Sequence, residues 1–324
     1  MRARRPAGAR QGGYLLPIVL FASAAILIFV AAAYAAVMRQ IDDVRRLGAT
    51  GDFAIAKVSA RAEVVYRLMT EPATVFGIGL APNTAIRVDN RPYLLPSKTM
   101  VVRLQDAAGL IDVNRVELDV WRRLAEQVGV PVDQRDVLAD RILDFLDEDD
   151  FRRLNGAERG EYAAARLDPP LNRAVESPRS LAAVLGWDTL LPGTMSDRFL
   201  DALTAGATGR VNPNAASPAV LYAMLGVPPI AAEDLVARRA EGFIDIGHLA
   251  RVSTLGQDVL MFAVTPVSSP VLLATFSDVE TGRTERVRIT LTPRAAQWPW
   301  SMDAFETLPA VDPAALARQA ALLP

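Results

Sequence analysis

The sequence predicts an α+β protein in which a long N-terminal helix leads into a sheet domain, and a large helical insertion interrupts that sheet. Residues 14–37 form one uncharged apolar run, and residues 84–105 and 271–291 have the texture of strands. Between those strands, residues 115–255 have the pattern of helices separated by short loops with Pro and Gly. Strands grouped on either side of a helical block favour an α+β fold over a fold of alternating strands and helices.

The apolar run extends from Tyr14 to Val37 and contains 24 residues without Asp, Glu, Lys or Arg. About 20 apolar residues, each rising 1.5 Å along a helix, cross the hydrocarbon core of a membrane. Four arginines precede the run, whereas the first acidic residue of the chain is Asp42. Because positive charge stays on the cytoplasmic side, this asymmetry predicts a single-span protein with a cytoplasmic N-terminus and most of the chain beyond the membrane.

The processing of this run has two interpretations. Small residues near its end, such as Ala33 and Ala35, could form a signal-peptidase site, although the run exceeds the roughly 7–15 apolar residues of an ordinary signal peptide. Alternatively, the basic leader that ends at Gly13 and continues directly into the apolar run resembles the type III signal of type IV pilins and pseudopilins. This resemblance implies cleavage between Gly13 and Tyr14. Most pilin-like proteins have Glu at the fifth mature position, whereas this chain has Ile18 there. A subunit without that Glu suits the tip of a filament.

Beyond the run, apolar residues recur at helical spacing from Arg39 to about Thr70, and Pro72 ends the pattern. Gly48 and Gly51 predict a kink or a short break in this helix. The Ala-rich, Pro-bounded tail predicts one short helix or disorder. The predicted boundaries are a leader at 1–13, a transmembrane helix at 14–37, its continuation at 38–72, a sheet domain in two parts at 73–108 and 256–292, a helical insertion at 109–255, and the tail at 293–324.

Two segments of the predicted insertion are similar and lie 100 residues apart, Gly109–Asn114 and Gly209–Asn214. Each leads into a helix that ends at Gly-Val-Pro, because Asn and Asp favour helix starts whereas Gly followed by Pro stops a helix. The second copy resembles a helix-hairpin-helix or SAM-like unit, and such units often bind DNA through hairpin amides and basic residues. Here Pro228 and Pro229 remove two amide donors, and the flanking charges are mixed. These features favour a structural use of the unit over binding of nucleic acid.

The composition argues against several kinds of active site. The chain has no cysteine and a single histidine, His248, so disulfides, thiolate chemistry, a Ser-His-Asp triad and a His-rich zinc site are not expected. A net charge of −2 gives no attraction to nucleic acid or to anionic membrane surfaces. Nothing in the sequence defines a sugar-binding cleft around paired carboxylates. The sequence therefore predicts a protein that is not an enzyme.

Carboxylates are concentrated in residues 140–161, which contain eight of them against four arginines. Four of the eight are consecutive, at 147–150, and a turn at Asn155-Gly156 follows. Clustered carboxylates on a loop suit Ca²⁺, which binds about six to eight oxygen ligands in flexible geometry. The spacing is not that of an EF-hand, and a solvated acidic loop neutralised by its arginines is the alternative.

A series of segments spread over most of the chain resembles one known family. In chain order these are the leader boundary at Gly13, the apolar position Ile18, Leu104–Asn114, Leu138–Asp149, the Asn155–Glu158 turn with Tyr162, and Val211–Ser217. Together they resemble the minor pseudopilins of type II secretion systems known as general secretion pathway protein K. The resemblance extends to about residue 270 and is loose beyond it.

This resemblance implies a pseudopilin-like sheet domain with a large helical insertion. It also implies a position at the tip of the pseudopilus, with a role in its initiation and in secretion across the outer membrane. The protein would lie in the inner membrane with most of its chain in the periplasm. The implied partners are the prepilin peptidase, which cuts after Gly13, the minor pseudopilins I, J and H, the major pseudopilin and the inner-membrane secretion platform.

The resemblance also bears on the acidic loop, because some members of the family bind Ca²⁺ in the insertion. The matching residues are Asp147, Asp149 and Glu158, with Asp150 or Glu148 as helpers. No other cofactor is implied. The alternative functional class is a membrane-anchored DNA receptor of the competence type, which also combines one anchor with a helix-hairpin-helix.

Overall fold

The computed structural model describes residues 15–207, 209–239, 241–295 and 297–324. Its first element is the helix α1 (Leu15–Thr70). Within α1, the segment Pro17–Asp43 has a mean hydropathy of 2.5 and is long and apolar enough to cross a membrane. The helix continues through Gly48 and Gly51, so the predicted break does not occur. Each glycine costs a helix only about 1 kcal/mol relative to alanine, which the surrounding helix-forming residues can offset.

The chain forms two compact units, one up to Ile55 and one from Ala56 to Pro324. The described part of the first unit is helical throughout. The second unit begins with the last turns of α1 and contains the other helices and all strands of the described chain.

The second unit is built on a six-stranded sheet, with two small two-stranded pairs beside it. In chain order the strands are β1 (Ala73–Thr74), β2 (Gly77–Ile78), β3 (Asp89–Leu94), β4 (Met100–Asp106), β5 (Ile111–Asp112), β6 (Leu203–Thr204), β7 (Val271–Asp278), β8 (Thr284–Leu291), β9 (Trp300–Leu308) and β10 (Ala321–Leu322). The order across the large sheet is β10-β3-β4-β7-β8-β9. Neighbouring strands are antiparallel, except that β10 runs parallel to β3.

The helical block is inserted between two neighbouring strands of this sheet. Its helices, with their bounds, are α2 (Leu118–Val128), α3 (Val132–Leu146), α4 (Arg159–Ala164), α5 (Trp187–Leu190), α6 (Thr194–Leu200), α7 (Pro218–Leu225), α8 (Pro229–Arg238), α9 (Ile246–Ala250) and α10 (Gln257–Ala263). Short 3₁₀ helices lie at Ala107–Gly109 and Pro178–Ala183. Strands β4 and β7, which precede and follow the block, pair with each other from Met100 opposite Asp278 to Asp106 opposite Leu272. The insertion therefore displaces no strand of the sheet.

The centre of the sheet follows the apolar alternation of the sequence. In β8, Val287 and Ile289 are fully buried, as the alternation of this strand predicts. The last turns of α1 are fixed beside β8, because Lys57 and Arg61 both form ion pairs with Glu285 in that strand. These contacts join the helix to the sheet within the second unit.

The tail is the part of the fold that the sequence predicts wrongly. Instead of one short helix or disorder, it forms β9, the helix α11 (Pro313–Gln319) and β10. Strand β9 lies at one edge of the large sheet and β10 at the opposite edge. Between them the chain passes Gly282, whose backbone oxygen accepts a hydrogen bond from the Val311 N–H at 3.0 Å. A side chain at Gly282 would overlap the Val311 oxygen, so close approach of the tail requires glycine there.

The core of the helical block contains stacked aromatic rings. The rings of Trp121 and Phe199 stack with their centroids 5.9 Å apart, and Trp187 meets Phe199 edge-on at 5.7 Å. Two helix pairs, α2–α3 and α7–α8, surround this core, and each pair turns at a Gly-Val-Pro sequence. Gly129 and Gly226 at these turns have left-handed backbones with φ of 99° and 63°, which glycine adopts without strain. The assignment of the second pair to the helix-hairpin-helix class stays a prediction.

The last residue of each repeat segment, Asn114 or Asn214, has the same structural role in both copies. Asn114 donates a side-chain hydrogen bond to the Val175 oxygen and accepts one from the Val175 N–H, both at 2.9 Å. Asn214 does the same with Ile244, at 3.1 and 2.7 Å. In both copies, therefore, one Asn side chain binds the backbone of a single residue in a distant loop and fixes that loop against the start of a helix pair.

Asp106 joins the helical block to the sheet. It is completely buried at the end of β4. Its carboxylate accepts hydrogen bonds from the Ser269 hydroxyl at 2.5 Å, the Ser269 N–H at 3.0 Å and the Asn212 amide at 2.7 Å. It also accepts one from the Ala108 N–H at 3.0 Å. One charged group thus connects the segment before β7, the second repeat and the end of β4.

Candidate metal centre

The acidic loop is held in place by two carboxylates of α3. Asp140 and Asp144 are four residues apart and therefore lie on the same face of the helix. Asp140 Oδ2 accepts hydrogen bonds from the backbone and side-chain nitrogens of Asn155, at 3.1 and 3.0 Å. Asp144 is completely buried and accepts from the Arg153 N–H at 3.1 Å. These bonds shape the loop between α3 and α4.

Three of the four predicted metal ligands come together in this loop. One carboxylate oxygen from each of Asp147, Asp149 and Glu158 lies within 4.8 Å of the other two. The fourth predicted ligand, Asp150, lies next to this group but is not part of it, and its Oδ1 accepts from Arg159 Nε and from the Asn172 amide, both at 3.1 Å. Glu148 is also outside the three-residue cluster. The cluster is thus Asp147, Asp149 and Glu158.

Several oxygens at this cluster are buried and have no hydrogen-bond partner in the described chain. They are Asp147 Oδ1, both carboxylate oxygens of Glu158, and Asn172 Oδ1. An unpaired buried oxygen is costly unless something binds it, and buried charges in proteins are usually paired or coordinate a metal. The four buried oxygens without partners therefore favour a cation site over a solvated acidic loop.

Sequence reasoning missed Asn172. Its side-chain nitrogen donates to the Asp149 backbone oxygen at 2.8 Å, which brings the loop after α4 against the acidic loop. Its backbone has a φ of 45°, a left-handed conformation that Asn tolerates better than most residues. Only the fold brings Asn172 to the cluster, and no spacing pattern in the sequence could have found it.

The raised pKa values of the carboxyl groups in and beside the cluster also support a cation site. Burial and the neighbouring carboxylates of Asp144 and Asp147 raise the pKa of Glu158 to about 7. Burial also raises the pKa of Asp147, with Asp149 as the next cause, and raises that of Asp144 to about 6. Ionised carboxylates repel one another at this site, and a bound cation would relieve that repulsion.

The arginines of the loop pair mainly with other carboxylates. Arg152 binds Glu161 at 2.8 Å and Arg159 binds Asp150 at 3.1 Å. Arg153 lies 3.3 Å from Asp144 Oδ1 and 3.5 Å from Asp147 Oδ2, so it reaches one oxygen of the cluster. The unpartnered Asp147 Oδ1 and both oxygens of Glu158 stay available to a cation. An all-oxygen donor set without His or Cys is the set that Ca²⁺ prefers.

The other predicted functional positions lie at the start of the chain. Ile18 is on the apolar portion of α1 with 65% of its surface exposed. Gly13 and Tyr14, the predicted cleavage site, lie outside the described residues.

The acidic cluster falls within a region that matches a known family. The family model described as type II secretion system, protein K, matches residues 101–196, from the start of β4 to α6, and so includes Asp147, Asp149, Glu158 and Asn172. Residues 101–196 thus contain a protein K domain of type II secretion. This match supports a minor pseudopilin of type II secretion, and the resemblance noted in the sequence is confirmed.

A solved structure has a fold similar to that of this chain. One chain of the crystal structure of the GspK-GspI-GspJ complex from the type 2 secretion system of enterotoxigenic Escherichia coli is 17% identical, with a TM-score of 0.58. The match covers 84% of this chain and 99% of that chain. Curated proteins give no match. The predicted α+β fold with an apolar N-terminal helix is confirmed, and the DNA-receptor alternative receives no support.

Proposed function

We propose that this minor pseudopilin occupies the tip of the pseudopilus, where it helps to start assembly and so supports secretion across the outer membrane. The observation that carries the proposal is Ile18, an exposed apolar residue at the position where most pilin-like subunits have Glu. A carboxylate in a membrane-spanning helix is costly unless a partner neutralises it. A subunit with Ile needs no such partner, and an end position offers none.

We propose further that its partners are the minor pseudopilins I and J, with H and the major pseudopilin below them. Support comes from the solved relative, which was crystallised in a complex of GspK, GspI and GspJ. The protein works through assembly and is not an enzyme.

Co-purification tests both statements. The full chain, expressed together with I and J and extracted in detergent, is expected to elute as a complex with one copy of each. Ile18→Glu should reduce the amount of complex, because an unpaired carboxylate is then buried among the helices, whereas Ile18→Leu should leave it unchanged. Recovery of the chain alone would contradict the partner assignment. Equal recovery of the Glu and Leu variants would contradict the role of Ile18.

The apolar helix is proposed to be a single inner-membrane anchor, with the N-terminus cytoplasmic and most of the chain periplasmic. The prepilin peptidase would then cut between Gly13 and Tyr14. Gly13→Ala is expected to block removal of the 13-residue leader, which an immunoblot would detect as a larger band. Gly12→Ala is the matched control and should be processed normally. Equal processing of the two variants would rule out this cleavage site.

We also propose that Asp147, Asp149, Glu158 and Asn172 bind Ca²⁺. When bound, the cation supplies positive charge to buried carboxylates that the protein itself leaves unpaired. The four residues belong to two loops, one before and one after α4, and their binding to one ion would hold these loops together. The proposed role of the site is thus to stabilise one conformation of the helical block.

A further inference from the structure

A second group of buried charges lies far from the acidic loop in the sequence, at a cavity of about 390 Å³ between the sheet and the helical block. The cavity is lined by residues at the start of β3, at the start of α7 and just after the end of α8. Arg239 is the residue after α8, and it is 96% buried, with a relative exposure of 4%.

Two of the three guanidinium nitrogens of Arg239, Nε and Nη1, are buried without a hydrogen-bond partner among the described residues. Burial lowers the pKa of Arg239 to about 10, so the group still carries its charge at neutral pH. A buried charge without a partner is among the costliest arrangements in a protein, and such groups are normally paired or bind an ion.

Nearby carboxylates do not balance this charge. Asp89 lines the cavity, but both of its oxygens are bound by Arg91, at 2.9 and 2.8 Å. Arg87 adds another buried cation that interacts with Arg239, and among the described residues its guanidinium donates to the Gly242 oxygen, at 3.4 Å. The neutral pair of Asp89 and Arg91 thus leaves two cations in excess.

Asp201, the other carboxylate at the cavity, interacts mainly with Arg286 and Arg179. It therefore has cations of its own and does not neutralise Arg239. The charge around Arg239 stays positive.

The start of α7 adds donors to the same cavity. Ser217, Pro218 and Ala219 line it, and they are the cap and the first two residues of α7. The N–H of a residue such as Ala219 has no partner within its own helix, and the helix dipole places partial positive charge at this end. Helix starts of this kind bind phosphate and carboxylate groups.

We propose that this cavity binds a small oxyanion, with Arg239 as the principal ligand and the start of α7 as a second source of donors. The ligand class is a group with at least two oxygens in a fork, such as a phosphate or a carboxylate, because a guanidinium binds such groups through two parallel hydrogen bonds. The proposal is independent of the Ca²⁺ site and of the position in the pseudopilus.

Thermal unfolding of the full chain in detergent tests the proposal. Inorganic phosphate, exchanged for chloride at constant ionic strength, is expected to raise the Tm in a saturable manner. Arg239→Met should weaken the apparent affinity for phosphate about tenfold or more, because it removes the charged donors. In chloride alone the same variant should keep or raise the Tm, since it removes an unpaired buried charge.

Arg238→Met is the matched control, because Arg238 is exposed and pairs with Asp234, and it should respond to phosphate like the wild type. Should Arg239→Met fail to fold, Arg239→Lys, which keeps the charge but loses the fork, should still bind phosphate more weakly than the wild type. An added acetate series separates the two sources. A response to phosphate alone identifies a free phosphate-type ligand, and a response to both identifies a carboxylate-accepting site. No gain over chloride, or an equal phosphate response of Arg239→Met and the wild type, would overturn the proposal.

Discussion

Replacement of Asp106 by alanine is expected to lower the free energy of unfolding by about 3–5 kcal/mol. The carboxylate is completely buried and accepts four hydrogen bonds, from Ser269, Asn212 and Ala108. Its loss would leave these donors unpaired in the interior and would release the segment before β7 from the end of β4. The loss is therefore expected to weaken both the sheet and the connection to the helical block.

Urea unfolding of the full chain in detergent measures this effect. It can be followed by tryptophan fluorescence, to which Trp121 and Trp187 in the helical core contribute together with Trp298 and Trp300. Asp119→Ala is the matched control, because the Asp119 side chain is 69% exposed and its ion pair with Arg122 contributes less than about 1 kcal/mol. Asp106→Asn, which keeps one acceptor oxygen, should give an intermediate loss. Equal unfolding midpoints for the alanine variants of Asp106 and Asp119 would show that the network does not hold the fold together.

The second large effect is expected at the acidic loop. Ca²⁺ at one hundred times its dissociation constant should stabilise the chain by about 2.7 kcal/mol, which appears as a higher Tm than in EDTA. Glu158→Gln should abolish this rise, because it removes a charged ligand. Asn172→Ala should reduce it. Asp119→Asn is the control, since the Asp119 side chain lies outside the acidic loop and is 69% exposed, and it should retain the rise. A wild-type Tm that is the same in Ca²⁺ and in EDTA would contradict the site.

The raised pKa of Glu158 predicts that the stability of the chain depends on pH when Ca²⁺ is absent. The pKa of Glu158 is about 7 in the folded chain against an ordinary value of 4.5. Protonation therefore favours the folded state, so this residue's contribution is fully present below about pH 4.5 and is lost as the pH rises through about 7. In EDTA the wild type should lose stability between pH 5 and 7.5 to a greater extent than Glu158→Gln. Parallel pH profiles would show that Glu158 does not titrate in this range.

The sequence identifies the elements that local patterns determine. The apolar run produces α1, the Gly-Val-Pro sequences end α2 and α7, and the alternation of Val287 and Ile289 places β8 in the sheet. Each of these signals acts over a few residues, where spacing and backbone preference decide the outcome. The tail lacks such a signal, because no residue of β9 is fully buried and β10 has only two residues. Pairing with distant strands of the sheet determines the structure of β9 and β10, and local sequence patterns do not predict such pairing.

Some residues of the candidate metal site can be predicted from local sequence, and others are revealed only by the fold. Asp147 and Asp149 are close in sequence, and Glu158 follows the Asn155-Gly156 turn, so composition and family resemblance suffice to select them. Asn172 is brought to the cluster by the chain beyond α4, and Asp150 binds Arg159 and Asn172 beside it. The sequence does not predict the structural role of a single residue such as Asp106, because that role depends on its burial in the folded chain.

The pairing of Asp106 with Leu272 has a consequence for how the sheet accommodates the helical block. Opposite residues of antiparallel strands lie about 4.5–5.5 Å apart, a gap that a two-residue turn can close. The entire helical block thus occupies the place of a hairpin loop, and the register of β4 with β7 does not depend on the length of the block. A change in the length of the helical block at this point of the chain would therefore leave the register of the two strands unchanged.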